Sequence, residues 1–214
     1  MHRKLQRSAQ DEGTPESIAS KLTFNQECFG VALRRLALQS INADKYRPIS
    51  ALIEQAYMRC RPLFRHRHAR HAIKRCHGDL KVSNLWVRPA SRYLRGLKLS
   101  SPRLLAHDCI DFNPEFYHID TLSDIAMLAI DIEMHLGNRT DRGFSFQQAE
   151  GLSRHFLNTY LREAREDRRV AWELLNYYIV EKAMVCAYVQ LMHESYPAAS
   201  LRYLDLGLAH AQQL

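Results

Sequence analysis

Within KRCHGDLKVSNLWV, residues 74–87, a His, a Gly and an Asp stand in succession, and an Asn follows five positions after the Asp. Apolar residues flank this short polar run: Leu80 and Val82 within it, then Leu85, Trp86 and Val87. Two further acids follow in HDCIDFN, Asp108 and Asp111. Asp79 is a carboxylate able to accept a hydroxyl proton. Asn84 and one of the later acids supply oxygen donors of the kind Mg²⁺ prefers. Together they are what phosphoryl transfer to a hydroxyl needs: a base that orients the acceptor in line, and a cation that neutralises phosphate charge.

The surrounding sequence predicts the elements that must hold these groups. QECFGVALRRLALQSI and PISALIEQAYMRCRPLFRHRH place apolar residues at helical spacing, with Pro48 suited to a helix start. The polar loop comes next. Two short apolar runs, 85–87 and 104–110, are expected to pair as a ribbon around RPASRYLRGLKLSSP, which reads as an exposed loop insertion over 88–102. Beyond them the chain reads as helical. IDTLSDIAMLAIDIEMHLG has Asp120 as its N-cap and Gly137 as its stop; a helix capped by Ser145 follows. Then come a long helix with apolar residues over much of its surface, ended by Pro197, and a closing amphipathic helix. Residues 1–20, polar with Gly13 and Pro15, read as a flexible lead-in to one domain over 21–214. The predicted class is mainly α with a small β element (α+β).

Composition narrows the function classes. With 214 residues, 46% of them hydrophobic and 25% charged, the chain is long and apolar enough for one substantial core. It contains no apolar run long enough for a membrane span, and its polar, charged first residues do not read as a secretory signal. The cysteines are Cys28, Cys60, Cys76, Cys109 and Cys186. They are odd in number and never spaced as C-x-x-C, which predicts reduced thiols in a cytoplasmic protein, with neither a disulfide framework nor a structural zinc site. The net charge of +7 is uneven: 21 basic against 7 acidic residues over 1–107, and 9 against 16 over 108–214. A basic half can attract nucleic acid, but no aromatics interleave with the basic run, so two mutually attracting faces of one domain is the simpler expectation. His66, His68 and His71 lack a carboxylate or Cys at ligand spacing and read as surface residues.

HGDLKVSNLWV resembles the H-G-D-x-x-x-x-N catalytic loop of aminoglycoside phosphotransferase-like (choline-kinase-like) enzymes, which share the protein-kinase-like fold. HDCIDFNPEFYHIDTLSDIAMLAIDIE is similar to the F-D-x-I-E-F-N and I-D-x-x-x-D-L-A pattern of one branch of that superfamily, often fused to a P-loop kinase domain. LNYYIVEKAMVCAYVQL and RYLDLGLAH extend the likeness, which covers roughly residues 50–210. The resemblance implies Asp79 as catalytic base and Asn84 and Asp108 as metal ligands, with Asp111 as the alternative to Asp108. It also implies that His77 shapes the loop, that Asp120 and Asp124 brace it, and that ATP and Mg²⁺ are the cofactors. Lys81 stands where the family commonly has His.

The resemblance covers only the helical C-terminal lobe of such kinases. No β-rich nucleotide lobe, strand-borne Lys or G-x-x-x-x-G-K-[ST] loop occurs in this sequence. Three expectations follow. The first is the C-lobe of an ATP-dependent phosphotransferase acting on a small-molecule hydroxyl, weakly active alone and partnered by a separate N-lobe or P-loop kinase. The second is a non-catalytic, pseudokinase-type binding module, and the third a basic nucleic-acid-associated protein.

Overall fold

Helix α4 (Thr121–Gly137) lies at the centre because its sequence, TLSDIAMLAIDIEMHLG, has no continuous polar face. Every residue from Thr121 to Asp131 is buried, and a helix that is apolar nearly all round is stable only when other elements surround it. The computed structural model describes residues 2, 5–9, 11–88, 103–137, 145–193 and 198–214. Within them α4 is enclosed by α5 (Phe146–Ala164), α6 (Arg168–His193) and α7 (Ala198–Ala211). Helix α6 packs in turn on α1 (Pro15–Leu38) and α2 (Pro48–Ala69). Aromatic rings fill the junction of α2 and α6: Phe64 and Tyr177 meet edge to face with centroids 5.1 Å apart, and both are fully buried.

Local sequence sets the helix ends. Thr14 caps α1 by accepting from the Ser17 amide at 3.1 Å, with Pro15 at the first helical position. Pro48 opens α2. Ser145 and Gln148 form a reciprocal capping box at α5. The Leu122 amide donates to Asp120 at 2.9 Å, so the expected Asp120 cap is present at the start of α4.

Strand is confined, among the described residues, to two antiparallel ribbons. The expected one pairs β2 (Leu85–Arg88) with β3 (Arg103–Ala106), Leu85 opposite Ala106. It stops four residues short of the predicted end, because 107–110 leave the ladder to contact the polar loop. The predicted insertion lies, apart from Arg88, outside the described residues, as does Pro197. The second ribbon pairs β1 (Ile73–Arg75) with β4 (His118–Asp120), where one-turn helix α3 (Pro114–Tyr117) ends. Its three-residue strands are too short to show a period. It also takes up Lys74 and Arg75, the last basic residues before the polar loop. Helix α2 ends at Ala69, and His71 takes φ +55°, which turns the chain into β1.

Described residues of the expected lead-in over 1–20 make defined contacts. Helix α1 already begins at Pro15. The Arg75 amide donates to the Gln6 carbonyl at 3.0 Å, and Arg7 bridges Lys74. His2 is 4% exposed. The fold class stands as mainly helical with a small β element. No described helix is long and apolar enough to cross a membrane, and all five cysteines are free thiols.

Two basic residues of the first half of the chain pair with acids of the second. Lys45 meets Asp205 at 3.0 Å, and Arg67 meets Asp120 at 2.6 Å and Glu166 at 2.5 Å. Arg67 and Asp120 are buried and bidentate, joining the end of α2 to the start of α4. Arg67→Ala would leave the Asp120 carboxylate buried without its cation, and is expected to cost about 3–5 kcal/mol in chemical denaturation. Lys45→Ala, at an exposed pair, is expected to cost no more than about 1 kcal/mol.

Candidate functional site

The HGD loop is built around three backbone amides that are satisfied by two acids of α4. The Asp124 carboxylate, 1% exposed, accepts from His77 N–H at 3.2 Å through one oxygen and from Gly78 N–H at 3.0 Å through the other. Asp131, also 1% exposed, accepts from Val82 N–H at 2.7 Å and from the Tyr203 hydroxyl at 2.9 Å. Seven residues separate the two acids, about two helical turns, so both fall on the face of α4 that meets the loop. A buried carboxylate is tolerated only when donors surround it, so the loop has little freedom to take another path.

Gly78 is required at its position. Its φ is +85°, and a Cβ there would lie 2.7 Å from the Phe116 carbonyl oxygen and 3.1 Å from Ile110. His77 is 6% exposed, and its Nε2 donates to the His107 carbonyl at 2.8 Å. Its Nδ1 is buried with no protein partner. His77, expected to shape the loop, thus ties it to the segment after β3.

The segment after β3 is tied to the loop on both sides of Asp108. The His107 amide donates to the Asn84 carbonyl at 3.0 Å, and the Ile110 amide to the His77 carbonyl at 2.9 Å. Between these ties Asp108 and Cys109 arch outward, exposed, with Asp108 at φ +60°. This is an uncommon conformation for a residue other than Gly, although Asp tolerates it better than most.

The acids do not all reach the same place. Asp79, Asp108 and Asp111 line one cleft of about 460 Å³, so both candidate acids face it. Asn84 lies behind the cleft lining, 8% exposed, with its amide nitrogen donating to the Asp79 carbonyl at 3.0 Å and the Ser83 hydroxyl 3.3 Å from its side-chain oxygen. Of the two acids expected to brace the loop, Asp124 accepts from the His77 and Gly78 amides, and Asp120 holds Arg67 and its own helix start.

Lys81, which stands where the family commonly has His, meets the Asp79 carboxylate at 2.8 Å. Sequence reasoning passed over other residues of the site. The wall opposite the loop comes from α1 and α6, through Lys21, Phe24, Asn25, Glu181 and Lys182. There Asn25 donates to Glu181 at 3.2 Å and accepts from the Tyr188 hydroxyl at 2.9 Å, and Glu181 pairs with Lys182 at 3.1 Å. Burial, followed by the neighbouring Lys182, pushes the Lys21 ammonium below its ordinary value. Asp131 had a readable signal, its two-turn spacing from Asp124 in an otherwise apolar helix. The α1 wall had none, because a contact between positions 21–25 and 181–188 leaves no local pattern.

No family model, curated protein or solved structure matches the chain.

Two outcomes test the bracing. Asp124→Ala, which strands buried amides, is expected to lower stability by about 1–3 kcal/mol, whereas Asp79→Ala, at the cleft surface, is expected to change it by less than about 0.5 kcal/mol. Denaturant melts of both variants separate them. The second outcome concerns pH. Burial pushes the Asp131 carboxyl up, but hydrogen bonds from His135, the Val82 amide and Tyr203 outweigh it and hold the group below the ordinary 3.8. A depressed folded value means the stabilisation is full above 3.8 and is lost as pH falls from there through the folded value. Asp131→Asn is therefore expected to flatten the acid limb of the stability–pH curve, read by urea titration across pH 2–6 (about two units either side of the unfolded value).

Proposed function

We propose that this chain is the helical lobe of a phosphotransferase that moves the γ-phosphoryl group of ATP to a hydroxyl of a small molecule. The observation that carries the reading is that Asp79, on a loop locked by three buried amide bonds, and Asp108, on an arch tied to that loop at both ends, face one cleft. A carboxylate in that position can accept the acceptor hydroxyl's proton and hold its oxygen in line. Lys81, 2.8 Å from Asp79, sets a cation beside the reacting groups, where negative charge gathers during transfer.

The donor set fits Mg²⁺. Asp108 and Asp111 offer hard oxygen ligands on the cleft, and the Asn84 side-chain oxygen lies just behind it. An ion bound there would neutralise phosphate charge, with phosphate oxygens and water completing its shell. We assign Asp108 ahead of Asp111, because the two ties at His107 and Ile110 fix its position relative to Asn84. The donor chemistry calls for weak Mg²⁺ binding without nucleotide.

Among the described residues there is no β-rich lobe of the kind that cradles ATP in protein-kinase-like enzymes, so we place nucleotide positioning on a separate lobe. The exposed side chains of Trp86, Val87, Leu104 and Leu105 on the β2–β3 ribbon suit such a contact. A nucleic-acid role is less well supported, since it rests on the charge excess alone, whereas the phosphotransferase reading rests on a defined cleft.

Calorimetry of the purified chain with ATP and Mg²⁺, followed by phosphate transfer to a panel of hydroxyl compounds, tests the reading. The chain alone is expected to give trace turnover. Turnover gained on adding a β-lobe partner is expected to fall about 10²–10⁴-fold in Asp79→Ala, the range for losing a positioned base. Tight Mg²⁺ binding without nucleotide, or full turnover in Asp79→Ala, would count against the proposal.

A further inference from the structure

Behind the HGD loop, three side chains far apart in sequence meet in the interior. His2 Nε2, Cys76 Sγ and an Asp124 carboxylate oxygen all lie within 4.8 Å of one another, and the residues are 4%, 6% and 1% exposed. Among the described residues no other group of three His, Cys, Asp or Glu side chains has this geometry. We propose that His2, Cys76 and Asp124 form a zinc site that fastens the N-terminal segment, the end of β1 and the centre of α4 to one point beneath Gly78.

The donor types select the metal. Thiolate, imidazole and carboxylate together are a zinc set, whereas Mg²⁺ and Ca²⁺ take oxygen alone. The spacing is close to what zinc needs. Ligand atoms each about 2.0–2.3 Å from a tetrahedral ion stand roughly 3.5 Å from one another. His2 Nε2 and the Asp124 oxygen are now 2.8 Å apart, so they need to open by less than about 1 Å. Charge also balances: a thiolate and a carboxylate cancel the ion's +2, so no net charge is buried. Asp124 can serve both roles, because one of its oxygens is held by Gly78 N–H while the other, which accepts from His77 N–H, keeps a lone pair toward His2.

The second ring nitrogen of His2 supplies an independent observation. Nδ1 lies 2.8 Å from the Tyr160 hydroxyl, with the rings edge to face. A metal-ligating His characteristically has its other nitrogen fixed by such an outer partner, which sets its tautomer and orientation. His2, Thr121 and Tyr160 also border a separate cavity of about 240 Å³, which brings open space up to one of the three ligands. The absence of C-x-x-C spacing has no bearing here, since positions 2, 76 and 124 converge only through the fold.

The test uses the full chain, stripped with chelator under reducing conditions and titrated with Co²⁺ and then Zn²⁺. One Co²⁺ per chain is expected, with tetrahedral visible bands and a near-ultraviolet thiolate-to-cobalt band that one equivalent of Zn²⁺ abolishes. Cys76→Ser is expected to lose the thiolate band, and Cys109→Ser to keep it. Tyr160→Phe is expected to weaken affinity about 10–100-fold, as loss of an outer partner does. Failure of the parent chain to bind one ion overturns the proposal without any variant. So does a thiolate band that survives Cys76→Ser, or affinity unchanged in His2→Gln when circular dichroism shows that variant folded.

Discussion

The hydrogen bonds from His77 and Gly78 N–H to Asp124 are the constraint on which the rest of this molecule turns. A carboxylate in the middle of a buried helix is costly unless donors reach it. Here the donors are amides of a loop that would otherwise have no reason to lie across α4. The requirement runs both ways: buried amides need an acceptor as much as the acid needs donors. Asp131 repeats the arrangement two turns further on with Val82. The apolar enclosure of α4 by α5, α6 and α7 makes both bonds count, because it keeps water from competing for them.

Once the loop is pinned, neighbouring features follow by contact. The Phe116 carbonyl passes close over Gly78 and excludes any side chain there. Asp108 cannot shift independently of His77 and Asn84, because the residues beside it are bonded to them. Arg67 and Asp120 lock the start of α4 to the end of α2, which sets the height at which Asp124 meets the loop.

Much of this could be read in the sequence where the signal was local. The helices from α4 to α7 follow from apolar spacing and caps, and the β2–β3 ribbon from two short apolar runs. Asp79, Asn84, Asp108 and Asp111 stood out within two short segments, while the preference for Asp108 and the choice of Asp124 came from the family resemblance. What escaped was carried by pairing at long range. The β1–β4 ribbon uses strands of three residues, too brief to show alternation. The buried Arg67 lies in a run of basic residues that, taken alone, looks like a solvated face, and only the distant Asp120 draws it inside. His2 is part of a polar N-terminus whose composition predicts disorder; its burial depends on Asp124 and Tyr160, positions 122 and 158 residues away.

Anchoring through the backbone has a consequence for chemistry. The core holds the loop by the amides of residues 77, 78 and 82, and none of those bonds uses the side chain of Asp79, Lys81 or Asn84. Stability and reactivity are thereby assigned to different atoms of the same short segment. The side chains at the cleft can change with little effect on folding, while the acids beneath cannot, although they never face the cleft. A loop of this kind keeps its shape when its cleft-facing groups differ, so its geometry alone describes a scaffold, and it is the identity of Asp79 beside Lys81 and Asp108 on which the proposed phosphotransfer reading rests.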